Sequence, residues 1–274
     1  MYNSTNLELR DLTVKDSAFW TIHPVLSRNV HIHHLKILNP SCRLYKCANT
    51  DGIDIDSSEN VLVEYNYIDV GDDHVTVLAG EHPGAPPSRN ITVQHNDLRS
   101  GMGLAIGSRT AGGVENVLYY NNVMTEKEKM GIVNGIHIKF RDRYRGYVRN
   151  VAWIDNVFYR AGRPGGAIKF ESGYQTDNAK RDCTKDGWKK CPELSNILVR
   201  NLTVHDGGPG AINCYANVPC TNITFDNVRY VNDPKASIPC RNVASGRAIN
   251  TYPSNLFDPE SCSALYKEDS VTQL

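Results

Sequence analysis

The sequence predicts an all-β protein, a single domain wound as a right-handed parallel β-helix, which is a solenoid of stacked coils. Three observations favour this fold. Helical periodicity is nearly absent, and short alternating runs such as NVLVEYNYI and NITFDNVRY are typical of β-strands. A step from asparagine to an apolar residue precedes these runs and recurs at intervals of 23 to 46 residues, at Asn6, Asn29, Asn60, Asn90, Asn116, Asn150, Asn196 and Asn222.

Intervals of this size match one turn of a solenoid, in which strands of successive coils stack about 4.8 Å apart. A second asparagine often follows five or six residues after the first, at Asn66, Asn96, Asn122, Asn156, Asn201 and Asn227. Asparagine tolerates the left-handed backbone of a sharp corner, and stacked amides can bond to one another. We therefore expect asparagine ladders at the corners. A β-sandwich is the alternative, but it does not explain a coil-sized repeat.

The repeat also divides the chain. We expect coils over residues 1–230, where the asparagine steps continue, and a C-terminal cap over residues 231–274, where they stop. A solenoid needs such a cap to cover its last strand. The long interval between Asn150 and Asn196 contains an insertion, residues 174–194, which is expected to form a loop on the rim.

The eight cysteines fall in close couples, which predicts four disulfides: Cys42–Cys47, Cys183–Cys191, Cys214–Cys220 and Cys240–Cys262. Zinc binding is the alternative, but no couple has C-x-x-C spacing or a nearby histidine pair. Sequons for N-glycosylation begin at Asn3, Asn90, Asn201 and Asn222. These features predict a secreted glycoprotein. The first residues lack the apolar core of a signal peptide, so we expect that segment, and a first coil, upstream of Met1.

Charge and hydropathy argue against two classes of partner. The formal net charge is zero, which gives no basic field for nucleic acid, and no apolar stretch is long enough for a transmembrane helix. We expect a monomer without a cofactor or a bound metal.

Three carboxylates stand out between residues 49 and 80. Asp51 lies in the run NTDG, and Asp72 and Asp73 form an adjacent pair after a glycine about one coil later. In a solenoid this spacing places all three on one wall. Clustered carboxylates repel, so at least one keeps its proton to higher pH, and the cluster can offer both an acid and a base. The alternative is that they are solvated corner residues or bind calcium.

These blocks resemble glycoside hydrolase family 28, the polygalacturonases and their relatives. The resemblance continues in chain order through GMGLAIGS at residues 101–108, GIHIKF at residues 135–140 and GYVRNV at residues 146–151. It implies hydrolysis of pectin, an α-1,4-galacturonan, with inversion and without a cofactor. It also implies that Asp72 is the general acid and that Asp51 and Asp73 hold the attacking water.

The resemblance further implies a substrate-binding set. His137 and Lys139 are two apart on a predicted strand and share a face, which in the family binds a substrate carboxylate. Asn49, Met102 and Tyr174 complete this set.

The chain departs from the family at several of these positions. Met102 replaces a histidine that bonds near the catalytic pair, His137 stands where arginine is usual, and His74 replaces a common cysteine. The reaction type is therefore better indicated than the substrate. A hydrolase of rhamnogalacturonan or xylogalacturonan, a calcium-dependent pectate lyase and a catalytically impaired pectin-binding protein are the alternatives.

Overall fold

The computed structural model describes residues 1–39, 48–125, 132–141, 145–174 and 191–266, with the backbone alone at residues 163–164. Within these ranges the chain forms 22 strands and one short 3₁₀-helix, and every strand pair is parallel. The fold is a right-handed parallel β-helix, which confirms the predicted fold class. No helix in this part of the chain is long and apolar enough to cross a membrane.

Two sheets carry the coils. The larger has 15 strands: β1 (Thr5–Arg10), β2 (Thr13–Lys15), β3 (Arg28–His33), β4 (Lys36–Leu38), β6 (Glu59–Glu64), β7 (Tyr67–Asp69), β9 (Ser88–Gln94), β10 (Asp97–Leu98), β12 (Val114–Tyr120), β13 (Val123–Thr125), β15 (Tyr147–Ile154), β16 (Val157–Tyr159), β18 (Glu193–His205), β20 (Thr221–Val231) and β22 (Gly246–Ile249). The smaller has seven: β5 (Ile53–Asp56), β8 (Val75–Leu78), β11 (Leu104–Ile106), β14 (Ile132–Phe140), β17 (Ala161–Ser172), β19 (Gly210–Asn213) and β21 (Cys240–Arg241).

Each coil from β3 to β17 contributes two strands to the larger sheet and one to the smaller, whereas the next coil has a single long strand, β18, that pairs with both β15 and β16. One coil, for example, runs through β6, β7 and β8, and the next through β9, β10 and β11. Equivalent strands of the two coils pair in register, so that Val61 faces Ile91 and Val75 faces Leu104. Residues at the same position of successive coils therefore form columns along the helix.

The core follows from the alternation of side chains in each strand. Valine, isoleucine, leucine and aromatic side chains point inward and form one continuous buried cluster that runs the length of the described coils. The rings of Tyr119 and Trp153 are fully buried and stack at 4.9 Å, one coil apart. Burial of such side chains contributes about 1.5–3 kcal/mol each.

The first predicted ladder lies on the outside of the coils. Each asparagine after the first donates from Nδ2 to Oδ1 of the asparagine one coil earlier, over 2.8–3.4 Å. All eight have φ between 53° and 58°. The repeat seen in the sequence is thus a column of left-handed corner residues. The sequon residues Asn90 and Asn222 belong to this column.

The second ladder is shorter than predicted. Asn66, Asn96, Asn122 and Asn156 form a buried column in which each Oδ1 accepts from the backbone N–H of the equivalent residue one coil earlier. Asn201 and Asn227 were expected in the same column but lie one residue off it. Asn201 donates to Asp155 and accepts from Asn227, in a separate exposed row. Their left-handed φ angles mark the same kind of corner as the outer ladder.

Two of the predicted disulfides are formed within the described residues, Cys214–Cys220 and Cys240–Cys262. Cys191 is also disulfide-bonded. Its expected partner Cys183, the couple Cys42–Cys47 and most of the insertion lie outside the described residues. The boundary between coils and cap at residue 230 stays a prediction, and β21 and β22 extend both sheets beyond it.

Candidate active site

The three aspartates meet at the edge of the smaller sheet, just before strands β5 and β8. The backbone N–H of Gly52 donates to the carbonyl of Asp73 over 2.9 Å, which sets Asp51 beside Asp73 on neighbouring coils. Asp72 precedes Asp73 in the chain, and one carboxylate oxygen of each of the three lies within 4.8 Å of the others. The coil register therefore gathers residues that are about 20 positions apart in the sequence.

Backbone and side-chain donors hold two of these carboxylates. Asp72 accepts the N–H of Asn49 over 2.8 Å on Oδ2 and the N–H of Asp73 over 2.9 Å on Oδ1. Asp73 Oδ2 lies 2.5 Å from Nζ of Lys139 and accepts the Thr76 hydroxyl over 3.2 Å. Asp73 is consequently the carboxylate with the strongest support for the ionised form.

Burial and mutual repulsion act on the other two. Burial, followed by the charges of Asp73 and Asp72, raises the pKa of Asp51 to about 8. Burial and the charge of Asp73 also raise the pKa of Asp72 above its ordinary value. Burial is the largest single influence and would lower the pKa of Lys139, but the charge of Asp73, its hydrogen bond and the nearby Tyr174 and Asp72 together raise that pKa, so the amine stays cationic. At neutral pH the cluster therefore holds a cation, on Lys139, and at least one proton, on Asp51.

The aspartates open into a cavity of about 320 Å³. Among the described residues, the predicted Asn49, Met102, Lys139 and Tyr174 also line it. Arg141, which follows the lysine block and was expected either to bind a uronate or to lie in a solvated loop, lines it as well. Sequence reasoning missed three further residues that could contact a substrate: Trp20, Asp54 and Arg109. His137 lies behind the wall, outside the set of described residues that line the cavity.

Asp54 is the most unusual of the missed residues. It is 1% exposed, and neither carboxylate oxygen has a hydrogen-bond partner within the described part of the chain. Burial, followed by the charges of Asp51 and Asp73, raises its pKa well above the ordinary value. The alternating run IDID could have revealed it, because Ile53 and Ile55 point into the core and direct Asp54 to the opposite face.

His137 is held by neighbours rather than presented to the cavity. Its Nε2 donates to Glu171 over 3.1 Å, and its Nδ1 accepts from the Asn134 amide over 3.3 Å. Burial lowers the pKa of His137, which therefore remains neutral. Burial would raise the pKa of Glu171, but hydrogen bonds from His137 and Lys169 outweigh it and lower that pKa to about 2. Glu171 is therefore a fixed anion behind the wall.

Tyr174 contacts both of the predicted substrate-binding residues on the strand, His137 and Lys139. Its ring lies 5.1 Å from Nζ of Lys139 and meets the ring of His137 edge-on at 5.8 Å. The three residues thus form one patch, with Lys139 and Tyr174 at the cavity surface.

Another part of the cavity lining contains an aromatic residue, Trp20. The guanidinium of Arg109 lies 4.7 Å from the centre of the Trp20 ring, and its Nε is 2.7 Å from a carboxylate oxygen of Glu81. Cation–π contact and ion pairing hold this arginine in place. An aromatic face with a fixed guanidinium suits a sugar that carries a carboxylate.

The histidine that departs from the family at position 74 has a structural role. His74 is fully buried, with Nε2 donating to the Arg99 carbonyl over 2.8 Å and Nδ1 accepting the N–H of Gly103 over 3.2 Å. Gly103 has a φ of 102°, and a Cβ there would lie 2.3 Å from a backbone oxygen. This packing fixes the backbone on both sides of Met102, whose N–H donates to the Asp72 carbonyl over 2.8 Å.

Comparison with known protein families shows which family the chain belongs to. The model of glycosyl hydrolases family 28 matches residues 1–249. The chain belongs to this family. An endo-polygalacturonase of Pectobacterium parmentieri is 30% identical over 185 residues, which cover 68% of this chain and 41% of the relative. The chain thus spans about two fifths of the length of the curated relatives it matches.

Two solved polygalacturonase structures share the architecture. An exopolygalacturonase from Thermotoga maritima superposes with a TM-score of 0.74 at 26% identity, covering 91% of this chain and 53% of that one. A polygalacturonase from Erwinia carotovora gives a TM-score of 0.71 at 25% identity, covering 88% and 57%. Relatives of both endo and exo type are therefore similar to this family 28 chain.

Proposed function

We propose that the protein hydrolyses the α-1,4 bonds of galacturonan, the backbone of pectin, with inversion at the anomeric carbon. The observation that carries this proposal is the cluster of three carboxylates, one of them paired with Lys139, in a cavity of a family 28 fold. Polygalacturonases among the relatives support the substrate class.

The chemistry needs a proton for the leaving oxygen and a base for water. In this proposal Asp73 acts as the charged partner of Lys139, because Lys139 and Thr76 bond to the same oxygen, and its other oxygen, Oδ1, which is buried without a partner among the described residues, holds the attacking water. Asp72 is less buried than its two neighbours and faces the cavity, which suits a group that must reach the glycosidic oxygen. We assign Asp72 as the general acid, and Asp51 with Asp73 as the pair that holds water.

The resting position of the proton adds a step to this assignment. The pKa of about 8 at Asp51 means that this carboxyl carries a proton in the free protein at neutral pH. Interacting carboxyls titrate as a unit, and a separation within 4.8 Å is one that a single water can bridge to carry the proton between Asp51 and Asp72. In our proposal substrate binding leaves the proton on Asp72, and Asp51 then serves as a second base.

The stereochemical part of the proposal rests on the family resemblance. Acid and base stand about 6.5–9.5 Å apart in most inverting enzymes and about 5–5.5 Å apart in retaining ones. The three oxygens here lie within 4.8 Å of one another, so their spacing alone would suit retention. Inversion then requires that two carboxylates hold a water between them and that neither attacks the sugar.

A hydrolase of rhamnogalacturonan or xylogalacturonan is the second candidate. His137 is neutral and engaged with Glu171, so the wall has a bound imidazole where the family resemblance leads us to expect a cationic arginine. That change weakens recognition of a carboxylate at this position and favours a neutral sugar there. Secretion and glycosylation complete the proposal and rest on the cysteines and the sequons, and a monomeric state is proposed with them.

One experiment tests both candidates. The protein is incubated with polygalacturonate, rhamnogalacturonan and xylogalacturonan, and product lengths and reducing ends are measured. Proton NMR of an early time point reports the anomer, and we expect the β-anomer first from the α-linked chain. An initial α-anomer would contradict inversion. Binding to all three polymers with no reducing ends released would contradict hydrolysis, and products that absorb in the ultraviolet would indicate a lyase.

A further inference from the structure

A second cluster of ligand-type side chains lies on the larger sheet, away from the aspartates. His31 and His33 are two apart on β3, so both imidazoles project from the outer face of that strand. Glu8 on β1 and Glu64 on β6 lie on the two strands that flank β3. The four residues come from three successive coils and meet because the coils are in register.

The distances within this cluster are short. Nε2 of His33 lies 3.1 Å from Oε1 of Glu8, and Nε2 of His31 lies 3.0 Å from Oε1 of Glu64. The two imidazole rings stack with centroids 4.0 Å apart. One ligand atom each of Glu8, His31 and His33 lie within 4.8 Å of one another. Four ligands at about 2.0–2.2 Å from a tetrahedral zinc would stand about 3.3–3.6 Å apart. The atoms of Glu8, His31 and His33 are near that spacing, and Glu64 adjoins them through its contact with His31.

Neighbouring residues orient two of these ligands. Nδ1 of His33 lies 2.8 Å from Nδ1 of His34, which can accept its proton and leave Nε2 free to bind a cation. The amide of Gln94 donates to Oε2 of Glu64 over 2.7 Å, which leaves Oε1 facing His31. Hydrogen bonds of this kind fix the tautomer and direction of metal ligands.

We propose that Glu8, His31, His33 and Glu64 form a binding site for a divalent transition-metal ion of the zinc class. Two imidazoles and two carboxylates are a ligand set that such ions accept. The two carboxylate charges balance the charge of the ion. Calcium and magnesium prefer oxygen ligands throughout, so the imidazoles discriminate against them.

Two features of the surroundings affect binding at this site. Nε of Arg10 lies 3.6 Å from Oε1 of Glu8, an exposed contact that the ion must displace. The imidazole of His33 is only 13% exposed and that of His31 36%, so an ion would be partly shielded from water. Binding would join β1, β3 and β6 and would oppose separation of the first coil from the next two.

The site is distinct from the other cluster that could hold a cation. Asp51, Asp72 and Asp73 offer oxygen ligands alone and already have a cation, Lys139, on one of them. They lie at the edge of the smaller sheet, whereas the histidine cluster lies on the larger one. Calcium, a hard ion, should prefer the aspartates, and zinc, a borderline ion, should prefer the histidine cluster. The ion that binds therefore indicates which cluster is occupied.

The test is a calorimetric titration of the chelator-treated protein with zinc chloride, followed by the same titration with calcium chloride. We expect one zinc ion per chain and a higher thermal midpoint with zinc. The variant His31→Gln/His33→Gln should lose at least about tenfold in zinc affinity. The control His82→Gln/His205→Gln removes two imidazoles elsewhere and should bind zinc like the parent. Thermal midpoints without metal verify that all variants fold.

Each outcome decides the proposal. Zinc binding lost in the first double variant and kept in the control supports it, as does retention of binding in Asp51→Asn/Asp72→Asn. The proposal is overturned if the parent binds no zinc at millimolar concentration. It is also overturned if the His31→Gln/His33→Gln variant binds as tightly as the parent, or if zinc is lost only when the aspartates are changed. Cobalt, whose visible absorption reports tetrahedral nitrogen and oxygen ligation, provides an independent reading.

Discussion

The outer asparagine ladder and the wall of the cavity are both columns of residues stacked one coil apart, yet the sequence fills them differently. The ladder repeats one residue on eight coils. A wall column of the smaller sheet changes at nearly every coil and reads Asp54, Thr76, Ala105, His137, Lys169, Ala211. The same register thus supports a repeated bond on one side and a set of different groups on the other.

The difference follows from what each column bonds to. A ladder amide donates to the coil before it and accepts from the coil after it, so each member needs a neighbour of the same kind. In the wall column Asp54 and Thr76 face the cavity, where the partner is a substrate group, whereas His137 and Lys169 bond to Glu171 within the protein. Stability should therefore respond to changes in the ladders, and activity to changes in the wall.

The largest effect is expected at the wall. Asp72→Asn keeps the shape of the side chain but cannot donate a proton, so we expect kcat to fall by about 10²–10⁴-fold or more. The thermal midpoint should not decrease, because the change removes repulsion from Asp73. Asp97→Asn, on the larger sheet, is the matched control and should retain activity. Near-normal turnover of the Asp72 variant would contradict its role as the acid.

The buried ladder should give the largest effect on stability. Asn122→Ala removes an amide that is 0% exposed and that bonds to Asn96, Asn156 and the Val93 carbonyl. The lost bonds and the partners left unpaired should cost about 2–4 kcal/mol in the free energy of unfolding. Urea denaturation measures this cost. A loss below 1 kcal/mol would mean that water enters the column and replaces the amide.

The acid cluster should make stability depend on pH. The pKa of Asp51 is about 8 in the folded protein and near 3.8 in the unfolded chain. Between these values the folded state binds more protons, so its stability falls as the pH rises from about 4 to about 8. Asp51→Asn removes this contribution and should stabilise the protein by about 1–3 kcal/mol at pH 8 but little at pH 4.

Denaturation of the parent and the Asp51 variant at pH 4, 6 and 8 provides the measurement. The exposed Asp11→Asn serves as the control and should show no such dependence. An equal effect of Asp51→Asn at all three pH values would show that the proton lies elsewhere in the cluster.

The exposed ladder should give the smallest effect. Asn116 has a φ of 57° and bonds to Asn90 and Asn150 at the surface. Asn116→Gly keeps the left-handed backbone and removes only solvent-exposed amide bonds, so it should cost less than about 1 kcal/mol. Asn116→Ala should cost about 1 kcal/mol more, because alanine is strained at this φ. Equal losses of stability for the two variants would mean that Asn116 stabilises the protein through its amide hydrogen bonds rather than through its tolerance of a left-handed φ.

The fold could be predicted from the sequence because the outer asparagine ladder is visible as a repeat. The steps at Asn60, Asn90 and Asn116 occupy equivalent positions and reveal the coil. The sequence pattern did not show that Asn201 lies outside the buried column, because an exposed corner asparagine and a buried one differ by a single position along the strand. The residue after the corner decides burial, and Leu202 takes the place of the inner asparagine on that coil.

The candidate site could be predicted in part. Asp51, Asp72 and Asp73 were gathered correctly because their spacing is one coil. Trp20 and Arg109 could not be foreseen as partners, since they come from different coils and belong to no shared motif. The orientation of His137 toward Glu171 was also hidden, because a strand pattern shows which face a residue is on but not which neighbour it bonds.

The outer ladder also shows how the chain can change in length. Between Asn150 and Asn196 there are 46 positions, against 26 between Asn196 and Asn222, yet the amide bonds across the two gaps measure 3.1 and 2.8 Å. Twenty extra residues leave the ladder bond in place because the corners, not the connections, set the register. In evolution, insertions and deletions between corners could therefore alter the rim around the cavity while every residue of its wall keeps its position.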